Sequence, residues 1–538
     1  MKILEGKKWK NDFLDYHCNK KEYRIQVLAW KNLEKIEDAY YIRPKSLKMA
    51  LRYLPVVGFY GLFTKAWSRW REQRRNDKYV SCGIGKIIET GDDLEFKIGD
   101  VVAFIAPFHP PLVERLTLPQ DFIFNIDKDI LPQLPLKEIL FYPLKQKNTS
   151  NQWWEEIISW SIYSGRDVSE ELRKKLEEGL INEIKETNWN DGESFDIKVP
   201  TEIKEIEGEV NKLDSRKTGV LFGFGNYAKT NVISFMKHFV NITTIHEIDP
   251  TQIWKNSAQK WDTSPFPRDN EKYDVYFVAS YNHTHAPIAL HALKQGAYAV
   301  VEKPVAMDYG ELEEIEKTLK EVGPKIFIGF HKRYSIFNDW AFEDLNVRHG
   351  EPICYHSIVY EISQPKYFWY TWPVSRSTFL ANGCHQIDHF LCLNDFSKPK
   401  DFDIKLLQDN AIEVWIELEN GAVFTTTFSE KGSTRIGPRD HVELKVPGKN
   451  VRITDNISYL SEDESRVIRK RRMFKTNSYK NMYLKIGAKI ANNDDGDSIE
   501  SIMVSTKLML DLEEKLQKQK GWGDRYPKAK EKFWSYFK

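Results

Sequence analysis

Two stretches of the sequence carry side chains that can exchange a proton with a hydroxyl group. In VVEKPVAM, Lys303 follows an apolar run that predicts a strand, and ligands of open α/β sheets bind at the carboxyl ends of strands. In NGCHQIDHF, His385, Asp388 and His389 lie near one face of a predicted helix. Because imidazole titrates near neutrality, His385 can take a proton, with Asp388 orienting its ring. The residues alone leave three alternatives open: an exposed lysine beside a turn proline, structural histidines, and a metal site, for which no further ligand cluster is evident.

Two other stretches are candidates for ligand contacts. KYFWYTWPVSR contains Trp369 and Trp372, which could form a wall on which a sugar stacks, although such clusters are more often core. RVIRKRRMFK predicts an exposed loop, and its alternative is a clamp for a diphosphate or an acidic partner.

The stretch GFGNYA has the G-x-G-x-x-A form of a dinucleotide-binding turn between a predicted strand and a predicted helix. Its first glycine permits the tight turn, its second lets the backbone approach a pyrophosphate, and its alanine keeps the helix close to the strand. An acid about 20 residues later meets the adenosine ribose in such folds, which favours NAD over NADP; Glu247 is the candidate and Asp249 its competitor. A turn that binds nothing is the alternative. The predicted cofactor contacts are Gly223, Phe224, Gly225, Asn226, Tyr227, Ala228 and Glu247.

The elements around these residues change character along the chain. Short β-rich runs dominate residues 1–147, and a helical connector is predicted for 148–213. Apolar strands then alternate with helices over 214–330, which predicts a doubly wound parallel sheet. Long strands, an Asn420-Gly421 hairpin turn and a helix capped at Asp497 follow in 331–538. The predicted fold class is thus an α/β Rossmann domain followed by an α+β domain with an open antiparallel sheet, and preceded by a mostly β domain.

The overall composition narrows the class of protein. A chain of 538 residues with a formal charge of +1 predicts several domains and no global attraction to nucleic acid or membranes. The five cysteines are few and scattered, which favours a reducing compartment, and the lack of a CxxC pair argues against a cysteine-rich zinc site. The N-terminus lacks an apolar signal core, so we expect a cytoplasmic protein without a membrane span.

Five motifs in order make the region from about Lys217 to Gln519 resemble the glucose–fructose oxidoreductase / inositol dehydrogenase (Gfo/Idh/MocA) family: GFGNYA, SYNHTH, EKP, GFHKRYS and GCHQID. The resemblance implies an NAD(H) cofactor, which would be tightly bound if it is recycled within each turnover, and a saccharide substrate. It implies cofactor contacts near the nicotinamide at Ser280, Asn282, His285, Glu302 and Lys303. It implies catalytic roles for Lys303, His385 and Asp388, and substrate contacts at Trp369, Trp372, Arg333 and His389.

The chain departs from this family at two positions. Many members carry an aspartate four residues before the catalytic histidine, where this chain has Ala381. His331 stands where an asparagine is usual. Both departures concern the mechanism more than the fold.

The N-terminal part resembles a different family. The stretch VSCGIGKIIETGDDLEFKIGDVVAF is similar to the GroES-like domain of medium-chain alcohol dehydrogenases, but Val80, Ser81 and Cys82 replace its zinc-site residues. The combination resembles bi-domain oxidoreductases of bacterial surface-polysaccharide synthesis, which implies a nucleotide-linked sugar as substrate.

These observations lead to one principal hypothesis and two alternatives. The principal hypothesis is an NAD(H)-dependent dehydrogenase of a sugar hydroxyl, which assembles as a homo-oligomer through its C-terminal sheet. The first alternative is an NAD-recycling epimerase, lyase or glycosidase-type enzyme on saccharides. The second is a non-catalytic protein that binds a sugar or a partner.

Overall fold

The computed structural model describes residues 2–5, 8–11, 22–35, 79–91, 94–106, 115–119, 123–125, 140–141, 216–225, 227–247, 260–262, 265–362, 376–432, 440–473 and 477–520. The predicted connector at 148–213, Asn226, Asp249, Trp369 and Trp372 lie outside these residues.

The N-terminal strands form two antiparallel sheets. Strands β1 and β2 pair with each other, and β3 to β8 form a six-stranded sheet in which β3 and β4 are the long central pair. Alternate residues of β3 point into a small core, with Tyr23, Ile25 and Val27 buried. The resemblance of this part to a GroES-like module stays a prediction. The strands are β1 Lys2–Glu5, β2 Lys8–Asn11, β3 Glu22–Lys35, β4 Tyr79–Thr90, β5 Val101–Ala106, β6 Arg115–Pro119, β7 Ile123–Asn125 and β8 Leu140–Phe141.

A six-stranded parallel sheet forms the middle of the chain, which confirms the predicted Rossmann-type fold. Its strand order is β11-β10-β9-β12-β13-β14, with β9 Lys217–Phe222, β10 Val240–His246, β11 Lys260–Asp262, β12 Val275–Val278, β13 Tyr298–Val301 and β14 Ile326–Ile328. Strands β12, β13 and β14 are buried along their whole length because packed helices cover both sheet faces. A π-helical turn over Ala228–Val232 leads into α1 Ile233–Met236, and α2 His285–Lys294 and α3 Tyr309–Val322 follow.

An eight-stranded sheet forms the C-terminal part, in the order β16-β17-β18-β15-β19-β20-β21-β22. All its neighbours are antiparallel except the central pair β15 and β18, because the chain between them makes a helical crossover and adds a hairpin. The hairpin predicted at Asn420-Gly421 is confirmed and joins β17 to β18. The strands are β15 Cys354–Ile362, β16 Pro399–Leu406, β17 Ile412–Leu418, β18 Val423–Gly432, β19 Asp440–Val446, β20 Lys449–Thr454, β21 Ser458–Asp463 and β22 Val467–Arg472.

Four helices accompany this sheet: α4 Ile336–Leu345, α5 Cys384–Leu393, α6 Asn477–Asn492 and α7 Ile499–Gln519. A second π-helical turn, Phe379–Gly383, leads into α5. None of the helices in the described ranges is long and apolar enough to cross a bilayer.

Two local predictions were wrong. Ser498, not Asp497, caps α7, because the Asp497 carboxylate instead accepts a hydrogen bond from the Ile328 backbone N–H at 2.8 Å. The basic stretch predicted as a loop is the edge strand β22, where Arg469 is paired with Glu343 and Asp344.

Candidate functional site

Three turns meet at the carboxyl edge of the parallel sheet. They follow β9, β12 and β13, and backbone hydrogen bonds hold them in register: Ala279 N–H donates to Phe222, and Glu302 N–H donates to Val278, each at 2.8 Å. Ligands of open α/β sheets bind at this edge. The glycine turn, the turn that begins at Ser280 and the turn that contains Lys303 therefore form one site.

The glycine turn has the geometry that a dinucleotide needs. Gly223 has φ +87°, and a Cβ there would lie 2.5 Å from the carbonyl oxygen of Ala279, so only glycine fits. A Cβ on Gly225 would meet no protein atom within 4 Å, which leaves open space for a ligand to approach the backbone. The Glu247 carboxylate accepts a hydrogen bond from the Phe224 N–H at 2.7 Å, which places this acid beside the turn.

A buried histidine, His285, holds the turn after β12 in place. His285 lies between two turns, with Nδ1 2.7 Å from the Pro304 carbonyl and Nε2 3.3 Å from the Ser280 carbonyl. Burial lowers the pKa of His285 to about 4, so the ring is neutral and donates its one N–H to the nearer carbonyl. Through this Nδ1–H, His285 ties the turn after β12 to the turn that contains Lys303, whereas Nε2 has no proton to donate to the Ser280 carbonyl. The Ser280 hydroxyl is 2.6 Å from that of Thr284.

Asn282 differs from these neighbours because its side chain lacks a partner. It is 3% exposed, and its Nδ2 has no hydrogen-bond partner among the described residues. A buried amide donor without an acceptor costs stability unless a ligand or water satisfies it. Together with the space at Gly225, this donor fits a bound dinucleotide.

Lys303 is held by the π-helical turn before α5. Its Nζ donates to the Ala381 carbonyl at 2.6 Å and lies 3.4 Å from Asn382 Oδ1. Lys303 forms no ion pair with a carboxylate of the described residues. A backbone carbonyl therefore orients the ammonium at the position where many Gfo/Idh/MocA members carry an aspartate.

His385 begins the helix that follows this turn. Its ring centroid is 4.7 Å from that of His331, and its Nδ1 is buried with no hydrogen-bond partner in the described part of the chain. Burial, and then the charges of Lys303 and other nearby cationic groups, hold the pKa of His385 well below its usual range. The imidazole is therefore neutral near pH 7, which is the form that a general base requires.

The hydrogen-bond partners of the Asp388 carboxylate are Arg333 and Ser505, and the expected contact that orients His385 stays a prediction. Asp388 is fully buried and accepts hydrogen bonds from Arg333 Nε at 2.8 Å and from the Ser505 hydroxyl at 2.8 Å. The Arg333 guanidinium also lies 3.6 Å from Asp497, so it forms ion pairs with two carboxylates. Asp388 and Arg333 thus form a buried ion pair, and their roles at a substrate stay predictions.

His389 is also buried. Its Nδ1 lies 3.2 Å from the Tyr355 hydroxyl, and its Nε2 lies 2.9 Å from Asn338 Oδ1. Burial lowers its pKa to about 3. Both ring nitrogens have partners within the protein, and the substrate contact at His389 stays a prediction.

Helix α6 brings residues to the site that the sequence did not single out. Tyr479 stacks on His331 with ring centroids 3.9 Å apart, and the Ser478 hydroxyl is 2.9 Å from His331 Nδ1. The Tyr483 hydroxyl donates to Glu302 at 3.1 Å. The two tyrosines are four residues apart and share one helix face, a spacing that could have marked them.

One group of residues at the sheet edge has the types that bind metals. Donor atoms of His246, Asp262 and Glu271 lie within 4.8 Å of one another. These side chains already have partners in the protein: His246 contacts Glu271 at 3.1 Å, and Asp262 pairs with Arg268 at 2.9 Å. This arrangement combines a histidine–carboxylate contact with one ion pair.

Comparison with known proteins agrees with the fold of this site. Residues 218–330 match the model of the Gfo/Idh/MocA oxidoreductase family, described as an NAD-binding Rossmann fold. This segment therefore binds NAD. No curated protein sequence matches the chain.

Solved structures that resemble the chain cover about half of it. The WlbA dehydrogenase from Bordetella pertussis, in complex with NADH and UDP-GlcNAcA, is 12% identical over 56% of this chain and 97% of its own, with a TM-score of 0.46. The scyllo-inositol dehydrogenase from Lactobacillus casei, with bound NAD(H) and scyllo-inositol, is 16% identical over 56% of this chain and 98% of its own, with a TM-score of 0.46. The UDP-N-acetylglucosamine 3-dehydrogenase from Acidithiobacillus ferrooxidans is 14% identical over 56% of this chain and 97% of its own, with a TM-score of 0.46.

Proposed function

From the NAD-binding Rossmann domain of the Gfo/Idh/MocA type that residues 218–330 form, we propose that this chain is an NAD(H)-dependent oxidoreductase of a sugar hydroxyl, with a nucleotide-linked sugar as its substrate. The observation that carries the proposal is the contact between Lys303, at the end of β13, and the π-helical turn that leads into His385. This contact brings a cation and a neutral base to the edge where NAD binds. π-Helical turns occur frequently at functional sites.

Each residue has a defined task in the proposed reaction. Bound NAD⁺ supplies the hydride acceptor. Lys303 donates a hydrogen bond to the substrate hydroxyl and stabilises the negative charge that develops on its oxygen. His385 takes the hydroxyl proton as a general base. Burial, and then the charge of Lys303, hold the pKa of His385 well below its usual range, so the protonated ring returns readily to its neutral form.

The cofactor contacts are proposed on the same geometry. Glu247 binds the ribose hydroxyls, the glycine turn receives the pyrophosphate, and the unpartnered amide of Asn282 donates to the cofactor. His285 and Ser280 act one layer further out by fixing the turn. Trp369 and Trp372 remain proposed substrate contacts outside the described residues.

The C-terminal sheet is the proposed surface between subunits. Trp415, Ile358 and Tyr360 are each more than 40% exposed, and the strand pairing places them on one face. A second copy of the chain would cover these apolar side chains, which isolated subunits leave in water. The N-terminal domain, the boundaries of the other domains and a location in the cytoplasm stay predictions.

Mass spectrometry of the purified, denatured protein tests the function. Released NAD or NADH together with a nucleotide sugar would support the proposal and identify the substrate. Protein that is purified without a ligand must bind added NAD and then a nucleotide sugar. Failure to bind either would contradict the proposal and favour a protein that binds a partner without catalysis.

A further inference from the structure

Helix α6 completes the cofactor-binding half of the molecule, although it comes almost 150 residues after the last strand of the parallel sheet. Met482, Tyr483, Ile486 and Ile490 are at most 1% exposed and lie in one core cluster with residues of the parallel sheet and of α1. The helix packs very closely, since a Cβ on Gly487 would lie 2.3 Å from the Phe239 ring. One face of the Rossmann sheet is therefore covered by a helix from the C-terminal part.

Three polar groups join this helix to the glycine turn. The Tyr483 hydroxyl donates to Glu302 Oε1 at 3.1 Å, and the Tyr227 and Tyr483 hydroxyl oxygens are 3.1 Å apart. The single proton of Tyr483 goes to Glu302, so Tyr227 is the donor in the second bond. Burial, and then the charge of Glu302, raise the pKa of both tyrosines well above the usual value, which keeps both hydroxyls protonated.

Tyr227 is part of the fingerprint that binds the dinucleotide. It immediately precedes the π-helical turn Ala228–Val232, and no side chain caps the start of that turn. Two contacts of the Tyr227 side chain instead fix the start of this turn. They are the hydroxyl bond to Tyr483 and the edge-to-face contact of the Tyr227 and Tyr479 rings, with centroids 5.7 Å apart.

We propose that Tyr483 is a positioning residue for NAD: through Tyr227 and Glu302 it fixes the glycine turn, so that helix α6 belongs to the cofactor site. The inference rests on the proposed function, because it takes the glycine turn as the place where the dinucleotide binds. It adds to that function a residue from a distant helix, and it makes cofactor affinity depend on how the C-terminal part packs.

Glu302 accepts the Tyr483 bond most strongly when its carboxyl group is ionised. Burial raises its pKa, while the charge of Lys303 and the hydrogen bond from Tyr483 act in the opposite direction. NAD affinity should therefore fall as the pH drops through the pKa of Glu302. The titratable groups that face this carboxylate are Lys303, Tyr227, Tyr479, Tyr483 and Cys384.

Calorimetric titration with NAD⁺ tests the inference on the full chain. We expect Tyr483→Phe to raise the Kd for NAD⁺ about tenfold, as for a lost hydrogen bond to a charged group. It should also move the acid limb of the affinity profile to higher pH, because one bond that favours the ionised Glu302 is gone. Tyr459→Phe is the matched control: this buried tyrosine also donates to a carboxylate, Asp344 at 2.8 Å, but within the C-terminal part.

The outcomes separate the inference from the proposed function. A wild-type protein that does not bind NAD⁺ contradicts the proposed function itself. If the wild type binds NAD⁺ and Tyr483→Phe matches Tyr459→Phe in affinity and in pH profile, the inference is overturned and the function stands. A double variant with Glu302→Gln should lose no more affinity than Glu302→Gln alone, whereas additive losses would show that Tyr483 acts by another route.

Discussion

Replacement of Gly225 by alanine should weaken NAD binding by the glycine turn without changing the stability of the fold. A Cβ at this position meets no protein atom within 4 Å, so the free energy of unfolding of the cofactor-free protein should change by less than about 0.5 kcal/mol. The same methyl group occupies the space through which a pyrophosphate approaches the backbone. We therefore expect Gly225→Ala to fold normally and to bind NAD at least about tenfold more weakly, a loss of about 1.4 kcal/mol.

The size of the effect follows from ligand linkage. NAD at 100 times its Kd stabilises the wild-type protein by about 2.7 kcal/mol, whereas a tenfold weaker site at the same concentration gives about 1.4 kcal/mol. Thermal melting with and without NAD measures this difference directly. An equal stabilisation of both proteins by NAD would refute a dinucleotide at this turn.

Gly223→Ala is the matched control for that experiment. Its Cβ would lie 2.5 Å from the Ala279 carbonyl oxygen, at a φ of +87° that alanine rarely adopts. The positive φ alone costs about 1–2 kcal/mol, and the clash adds to it. This variant should melt at a lower temperature even without NAD, which Gly225→Ala should not do.

Three further predictions concern the buried Asp388–Arg333 pair, the ribose contact and the surface between subunits. Asp388→Asn removes the carboxylate charge next to the buried Arg333 and should lower the free energy of unfolding by about 3–5 kcal/mol in urea titrations; an unchanged midpoint would contradict a structural role for this pair. Glu247→Ser should weaken NAD and reduce its preference over NADP about tenfold in competition binding, and an unchanged preference would exclude Glu247 from the ribose contact. Trp415→Glu should convert an oligomer to monomers in light scattering, and a wild-type monomer would contradict the proposed subunit surface.

The sequence predicted the parallel sheet and its ligand-binding edge because both depend on local patterns. Fully apolar strands that alternate with helices form a parallel sheet covered on both faces. The turns at Gly223 and Lys303 follow such strands in the sequence, so they lie at the carboxyl ends of the strands. The dinucleotide fingerprint added the cofactor, since the glycine spacing has a direct steric cause.

The environment of α5 could not be predicted in the same way. Helical spacing placed His385, Asp388 and His389 near one face, but it did not say which neighbour each side chain would meet. In the structure, Asp388 is hydrogen-bonded to Arg333 and Ser505, and His389 is hydrogen-bonded to Tyr355 and Asn338. The contact between Tyr483 and Glu302 joins residues 181 positions apart, which no local pattern reveals.

The most direct test of the central claim is the absorbance of NADH at 340 nm when the protein is mixed with NAD⁺ and a panel of nucleotide-linked sugars. Lys303→Met is compared with Lys325→Met, since Lys325 also donates to a backbone carbonyl, at 3.0 Å, but lies away from the site. The account predicts NADH formation by the wild type and by Lys325→Met with at least one sugar, and a loss of at least about a hundredfold in Lys303→Met. Equal rates in all three proteins would contradict the role of Lys303. Sugar conversion without any NADH would contradict a net dehydrogenase and indicate that the cofactor is recycled within each turnover.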